Sequence, residues 1–345
     1  MKYRAIAYDV GTFFVRGKTT RPSFDAALVK HEIAVIRNDL GCNAIRIFGL
    51  DIDRLVAAAT FALEAGLAVW LSPMRGEATA EETLPYLAQS ARRAEVLRAN
   101  YGNVLLVVGG ECSFFMKGII PGDDLHARIG KFISPLSLLR HLVTGGRWPG
   151  KRLNAYLASA VATVREAFKG PVTYASGPWE RVDWRRFDLV GANYYRYAQN
   201  AKGYSNGLKK YFKHGKPVLI TELGCSTYEG ADAKGAIGWR ILDGSGPRTR
   251  IKGSYLRSEE TQARYLDELL GLFADTTLEG VCVFNFVAYN LTYDEDPQWD
   301  LDMASYGIVK VLPEGVGSRQ RSGLPWVPKM AFRVVADRYR AMEKS

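Results

Sequence analysis

The chain has 345 residues, of which 47% are hydrophobic and 24% are charged, a balance that is normal for a globular protein with a large buried core. Its net charge of +10 comes from scattered Lys and Arg residues, with only short clusters such as Arg185-Arg186 and Lys209-Lys210. Because no basic run with interleaved aromatic residues occurs, specific nucleic-acid binding is not expected. A cationic surface that meets anionic polymers or lipids remains open.

The sequence indicates neither an N-terminal signal peptide nor a membrane-spanning helix. The N-terminal sequence MKYRAIAYDVG lacks the apolar centre of a signal peptide, and no apolar run approaches the roughly twenty residues of a membrane-spanning helix. The four cysteines have no CxxC spacing, which is typical of free thiols in a reducing compartment. We therefore expect a cytoplasmic protein without a membrane span. Its oligomeric state cannot be read from these features.

Eight short apolar segments, taken in chain order, predict strands at 4–9, 43–48, 67–71, 103–108, 172–175, 188–193, 217–221 and 281–286. Helical patterns alternate with them and predict helices at 24–38, with Ser23 as its cap, and then at 51–63, 81–99, 153–168, 259–273 and 329–342. Strands that are apolar along their whole length are covered on both faces, as in a parallel sheet.

This rhythm predicts an α/β fold, a single (β/α)8 TIM barrel that spans residues 1–345 as one domain, with long loops after strands 4, 7 and 8. An open doubly wound sheet fits less well, since no linker divides the chain and the strand spacing is even. No Gly-x-Gly-x-x-Gly follows the first strand, which disfavours dinucleotide binding.

Two of the predicted strands run into a glutamate. The stretch NVLLVVGGECSFF delivers Glu111 after strand 4, and KPVLITELGCS delivers Glu222 after strand 7. A charged side chain at the end of an apolar strand is costly unless its surroundings stabilise it. Because the active site of such a barrel lies at the carboxyl ends of its strands, we expect these two acids to meet at one mouth.

Two neighbouring carboxyl groups cannot ionise independently, so one stays protonated as an acid while the other stays anionic. A glycosidase needs this arrangement. Arg46, on strand 2, is suited to hold the anion by a charge-assisted hydrogen bond, and Tyr194 or Tyr195 could donate another. In the alternative interpretations, Glu222 is only an ion-pair partner of Arg46 and Glu111 only caps a loop or binds a lysine.

Other side chains at strand ends are candidates for binding a carbohydrate. Asn193 and Asn285 close strands 6 and 8, and aromatic residues that could stack on sugar rings lie in the loops: Trp179, Trp239 and Trp299. Loop packing is the alternative role for each tryptophan. No cofactor or metal is expected, since the four histidines are dispersed and no His-x-His pattern occurs at a strand end. No Gly-x-Ser-x-Gly elbow is present. Gly224 and Gly230 give weak support to a phosphate-binding barrel.

The chain resembles the clan of retaining glycoside hydrolases built on (β/α)8 barrels. The segment PVLITELG is similar to the clan's strand-7 motif, AIRIF to its strand-2 arginine, and GANYY to the segment that supplies a tyrosine to the nucleophile. The segments DMASYGIVK and PKMAF resemble the clan's closing section. The resemblance implies Glu222 as nucleophile and Glu111 as general acid/base.

Two departures from the clan pattern matter. The clan has Asn directly before the acid/base glutamate, where this chain has Gly110, and a tryptophan on strand 8, where this chain has Phe284, Asn285 and Phe286.

Taken together, the two glutamates and the resemblance predict a retaining glycoside hydrolase, with the carboxyl groups about 5–5.5 Å apart. The alternative is a non-catalytic glycan-binding barrel that has kept the pocket. The sugar, its linkage and exo or endo action are not predicted.

Overall fold

A computed structural model describes residues 1–15, 18–143, 147–313 and 323–344. Eight parallel strands form a closed barrel: β1 Tyr3–Asp9, β2 Ala44–Gly49, β3 Ala68–Pro73, β4 Val104–Gly110, β5 Val172–Ser176, β6 Val190–Asn193, β7 Val218–Leu223 and β8 Gly280–Val283. Each strand pairs with the next along the chain, and β8 closes the ring by pairing with β1. The predicted (β/α)8 fold is confirmed.

Eleven α-helices lie among the described residues. They are α1 Ala26–Asn38, α2 Ile52–Glu64, α3 Ala80–Tyr101, α4 Cys112–Phe115, α5 Leu125–Ile133, α6 Pro135–Val143, α7 Arg147–Arg165, α8 Tyr204–Gly207, α9 Lys209–Phe212, α10 Glu259–Ala274 and α11 Met330–Lys344. In that part of the chain, no helix has the length and apolar character that crossing a bilayer requires.

The barrel is filled from inside by small side chains around a few large ones. Ala5, Ala7 and Ala44 leave room for the rings of Phe48 and Trp70, and all five side chains are buried. The opposite faces of the same strands pack against the helices. The alternation within each strand therefore separates an inner core from an outer one, as expected for this fold.

Several predicted boundaries were wrong by a few residues. Asp25, not Ser23, caps α1 by accepting the N–H groups of Ala27 and Leu28. The helix predicted from residue 153 begins at Arg147 and so includes Pro149 in its first turn. A proline is tolerated there because the N–H that it lacks would have no helical partner. Strand β8 ends at Val283, three residues before the predicted end.

Both strands that carry the glutamates contain an extra residue just before them. In β4 the pairing shifts from Val107 opposite Thr173 to Gly110 opposite Ala175. In β7 it shifts so that Glu222 lies opposite Asn193. Such β-bulges change the direction of a strand locally and re-aim the side chains that follow. The bulges therefore set where Glu111 and Glu222 point.

The connections after β7 and β8 are joined by a buried charge cluster. Arg257 and Lys329 donate to the Asp302 carboxylate at 2.7 and 2.9 Å, and Lys329 also donates to the Thr227 hydroxyl at 3.0 Å. Since buried charges are stable only when they are paired, this cluster holds the two connections together at the mouth of the barrel. Residues 314–322 of the predicted long loop after strand 8 lie outside the described residues.

Candidate active site

Glu222 is held by one cation and one hydroxyl. Arg46 Nη1 donates to Glu222 Oε1 at 2.7 Å, and the Tyr195 hydroxyl donates to Glu222 Oε2 at 3.1 Å. Arg46 is fixed in turn by the Thr221 carbonyl at 3.0 Å and by the Ser72 hydroxyl. Both contacts fix the orientation of the Glu222 carboxylate, and both are of the charge-assisted kind, which is about twice as strong as a neutral hydrogen bond.

Glu111 follows β4 directly and has a left-handed backbone, with φ 45° and ψ 40°. A residue with a side chain adopts this conformation only at a cost of about 1–3 kcal/mol, so its surroundings must compensate. The Tyr174 hydroxyl accepts the N–H of Cys112 at 2.7 Å, and Glu180 accepts the N–H of Ser113 at 3.0 Å. These bonds fix the turn that presents Glu111 to the mouth.

Asn193 connects the two glutamates. Its Nδ2 donates to Glu111 Oε1 at 2.9 Å, while its Oδ1 accepts the Thr221 hydroxyl at 2.8 Å. The hydroxyl contact fixes the orientation of the amide, because only the oxygen can accept that proton. Asn193 also pairs with Glu222 in the barrel sheet. The side chain therefore places a donor on Glu111 from a strand that is in register with the other acid.

The two carboxyl groups lie in different electrostatic surroundings. Burial, followed by the negative charge of Glu222, raises the pKa of Glu111 from 4.5 to about 8. The hydrogen bond from Asn193 and the charge of Arg46 oppose this rise without reversing it. Glu111 is therefore protonated at neutral pH, when it can serve as an acid.

Glu180 is a third carboxylate at this site; its place after a strand makes it a candidate in the sequence, which indicates no particular role for it. It accepts hydrogen bonds from the Tyr174 hydroxyl at 2.8 Å, from Gly177 N at 3.0 Å and from Ser113 N, and its charge further raises the pKa of Glu111. Burial raises the pKa of Glu180 itself. The position of Glu180 after β5 is the only sign of a functional role that the sequence contains, because its hydrogen bonds form only in the folded protein.

Three glycines shape the site. Gly109, with φ 138°, provides the bulge in β4, and a Cβ there would lie 2.7 Å from Cys112 Sγ. A Cβ on Gly224 would lie 2.3 Å from the Phe284 carbonyl, so this glycine lets β7 and the end of β8 approach closely. Gly110 is different, because a Cβ there would meet only ordinary contacts, at 3.4 Å from Arg46 Nη2 and Ala175 Cβ.

Among the described residues, none of the other predicted binding residues is hydrogen-bonded to Glu111 or Glu222. Tyr194 turns away from the mouth, because its hydroxyl donates to the Tyr204 carbonyl at 2.6 Å and its ring stacks on Tyr204. Asn285 is buried and donates to the Val287 carbonyl at 2.9 Å, while its Oδ1 has no hydrogen-bond partner among the described residues. Of the two tyrosines after β6, only Tyr195 reaches Glu222.

The three predicted tryptophans occupy different loops. Trp179 donates to the Ser113 hydroxyl at 3.0 Å and lies against the ring of Phe114. Trp239 contacts His126 edge-on, with ring centroids 6.0 Å apart. Trp299 lies under the guanidinium of Arg248. All three rings are half-buried, and Trp179 is tied to the residues that follow Glu111.

Phe284 provides an aromatic surface that the sequence did not predict. It follows β8, remains half-buried, and stacks on Phe48 with ring centroids 5.6 Å apart. Tyr306 contacts it edge-on and also lies beside Tyr195. An apolar ring face beside a hydrogen-bonding carboxylate is suited to a sugar, which has both apolar and polar surfaces. Within the described residues, no cluster of His, Cys, Asp or Glu could hold a metal ion.

No protein-family signature and no curated protein sequence matches this chain. Among solved structures, it is similar to a GH113 β-1,4-mannanase (14% identity, TM-score 0.62, 99% of each chain covered). It is also similar to the GH113 β-mannanase AaManA from Alicyclobacillus acidocaldarius (16%, 0.60, 99% of this chain and 97% of that one). A third similar structure is the β-glycosidase BGL167 (13%, 0.54, 98% and 96%). At these identities the likeness shows a shared fold.

Proposed function

We propose that this protein is a retaining glycoside hydrolase that cleaves an O-glycosidic bond by double displacement. The pair of glutamates in different surroundings carries the proposal: Glu111 keeps its proton at neutral pH, and Glu222 is ion-paired with Arg46 and hydrogen-bonded to Tyr195. A retaining glycosidase needs one carboxyl group of each kind.

In the first step, Glu111 gives its proton to the glycosidic oxygen while a Glu222 oxygen attacks the anomeric carbon. The bond to the leaving group breaks, the bond to Glu222 forms, and the alcohol departs. In the second step, the Glu111 carboxylate takes a proton from water, whose oxygen attacks the same carbon and releases Glu222. Two inversions restore the starting configuration.

The remaining contacts fit this sequence of steps. Once Glu222 is esterified, its negative charge no longer raises the pKa of Glu111, so Glu111 more readily ionises and can act as a base. The half-buried ring of Phe284 offers a stacking surface for the sugar. Since the similar folds include β-mannanases and a β-glycosidase, β-linked mannosides, followed by other β-glycosides, are the first substrates to test.

The test is a panel of aryl β-glycosides and oligosaccharides assayed with wild type, Glu222→Ala and Glu111→Ala. We expect no turnover by Glu222→Ala. Glu111→Ala should lose activity on oligosaccharides but keep more of it on dinitrophenyl glycosides, because a good leaving group needs no proton. Turnover by Glu222→Ala equal to that of wild type would refute the nucleophile assignment.

A further inference from the structure

Helix α6 presents apolar side chains to solvent. Leu136, Leu139 and Val143 are 75%, 57% and 78% exposed, and their spacing of three and four residues puts them on one side of the helix. The polar Ser137, in contrast, is buried. Ile133, at the end of α5, is also 53% exposed. We name these four aliphatic residues the α5–α6 face.

Buried side chains on the inner side of α5 fix the orientation of this helix. Arg128 is fully buried, donates to the carbonyls of Phe114 and Gly122, and forms an ion pair with Glu77. Leu125 packs with Phe114 in a small core of its own. The exposure of Ile133 at the end of α5 is thus the consequence of an anchored helix.

Two stretches of the sequence, one of which contains α5 and α6, are rich in basic residues; three of their arginines (Arg128, Arg165 and Arg196) are ion-paired with acids elsewhere. Residues 125–165 and 189–221 contain thirteen Lys and Arg residues and no Asp or Glu; since the whole chain is +10, the other residues have a net charge of −3. Residues 178–179 lie between the two segments: Trp179 packs in one small core with Phe114, Leu125 and Phe132, and the Pro178 carbonyl accepts a hydrogen bond from Lys210 Nζ at 3.4 Å. Exposed cations of these segments include Lys131, Lys151, Arg152, Lys202, Lys209, Lys210 and Lys213.

We infer that the α5–α6 face and its basic surroundings form a peripheral binding surface for anionic lipid bilayers. Exposed aliphatic side chains on a helix next to Lys and Arg residues are the combination that places a helix in the headgroup region. A second copy of this chain would bring like charges together. An anionic polymer would leave the aliphatic side chains in water. A bilayer satisfies both the charges and the apolar side chains.

This surface adjoins the mouth of the barrel. His126, on α5, contacts Trp239 in the connection after β7, and α4 and α5 lie in the connection that begins at Glu111. Binding to a bilayer would therefore hold the mouth beside the lipid headgroups. The inference does not depend on the proposed catalytic activity.

The experiment is sedimentation of the full chain with vesicles of phosphatidylcholine alone, or with a third of the lipid replaced by phosphatidylglycerol. We expect binding to the anionic vesicles only. The double variant Leu136→Ser/Leu139→Ser should lower partitioning about tenfold or more. Lys131→Gln and Lys151→Gln should each lower it about fivefold. Val96→Ser, which removes a 58% exposed aliphatic side chain from α3, is the control and should bind like wild type.

Absence of binding to anionic vesicles would overturn the inference, as would equal binding by the double Leu variant and Val96→Ser. Binding to heparin or RNA without binding to vesicles would assign the surface to an anionic polymer instead. Thermal melting of each variant separates a loss of binding from a loss of folding. Because the face is exposed, we expect all of these variants to melt like wild type.

Discussion

Arg46 and Glu222 form an ion pair across the barrel, 2.7 Å apart, in which the arginine side chain is 1% exposed and the carboxylate 16%. The guanidinium also donates to the Thr221 carbonyl and to Ser72, so its position is fixed by groups that do not react. The carboxylate, by contrast, opens towards the mouth. One buried cation therefore fixes the orientation of the Glu222 carboxylate.

The Arg46 contact predicts a strong effect of a charge-conserving change. Arg46→Lys keeps the positive charge but cannot contact Glu222, Thr221 and Ser72 together, because an ammonium lacks the planar fork of a guanidinium. We expect kcat/KM to fall about 100-fold to 1,000-fold, measured with an aryl glycoside. Arg93→Lys, at a surface ion pair with Asp53, is the control. A loss of less than about threefold in Arg46→Lys would contradict this role.

Glu180 predicts a shift in the pH profile. Its negative charge disfavours the ionisation of Glu111 and so raises the pKa of Glu111. Glu180→Gln removes that charge, and the pKa of Glu111 should fall, so the alkaline limb of kcat/KM should move to lower pH. Tyr174→Phe is the control, since it removes the hydrogen bonds to Cys112 and Glu180 but no carboxylate. Tyr174→Phe should lower kcat and leave the pH of the alkaline limb nearly unchanged.

The result can be checked without turnover. A carboxyl titration of Glu111 by NMR, compared between wild type and Glu180→Gln, reports the same change in pKa directly. If Glu180→Gln leaves both the limb and the titration where they are in wild type, Glu180 is a structural residue with no electrostatic effect on Glu111.

Substitution by alanine should be tolerated at Gly110 but not at Gly109. Gly109→Ala must adopt a backbone conformation that disfavours side chains and must place its Cβ against Cys112 Sγ. We expect a loss of about 2–3 kcal/mol in the free energy of unfolding. Gly110→Ala meets only ordinary contacts and should cost less than about 1 kcal/mol. Urea unfolding of the two variants tests the pair, and equal losses would contradict the bulge geometry.

The raised pKa of Glu111 predicts a pH-dependent effect on stability. Between its ordinary value of 4.5 and about 8, the unfolded chain releases this proton while the folded protein keeps it, so folding loses stability as pH rises through that window. Glu111→Gln removes this cost and should be more stable than wild type at pH 9 by about 2–5 kcal/mol. Urea unfolding measures the difference.

The same comparison should show no such gap below about pH 4.5, where both states are protonated. Glu64→Gln, an exposed glutamate at the end of α2, is the control and should follow wild type at every pH. A pH-independent difference between Glu111→Gln and wild type would contradict a raised pKa.

The fold could be predicted because its information is local: apolar runs and helical patterns alternate along the chain. The site could be predicted only in part. Glu111 and Glu222 stand at the ends of apolar runs, but the bulges that aim them depend on pairing with neighbouring strands. The contacts of Glu180 join residues up to 67 positions apart, which no local pattern contains. Likewise, the side chains of the adjacent Tyr194 and Tyr195 point in different directions after β6: the Tyr194 hydroxyl bonds to the buried Tyr204 carbonyl, and the Tyr195 hydroxyl bonds to Glu222.

In the proposed mechanism, Glu222 forms a covalent bond with the anomeric carbon. Incubation with 2-deoxy-2-fluoroglycosyl fluorides, followed by intact-mass measurement and peptide mapping, tests it directly, because the fluorine slows release of the intermediate. We predict one added fluoroglycosyl group, located on Glu222 and absent from Glu222→Ala. A label on another residue, or tight sugar binding with neither label nor turnover, would contradict the claim and indicate a barrel that binds glycans without cleaving them.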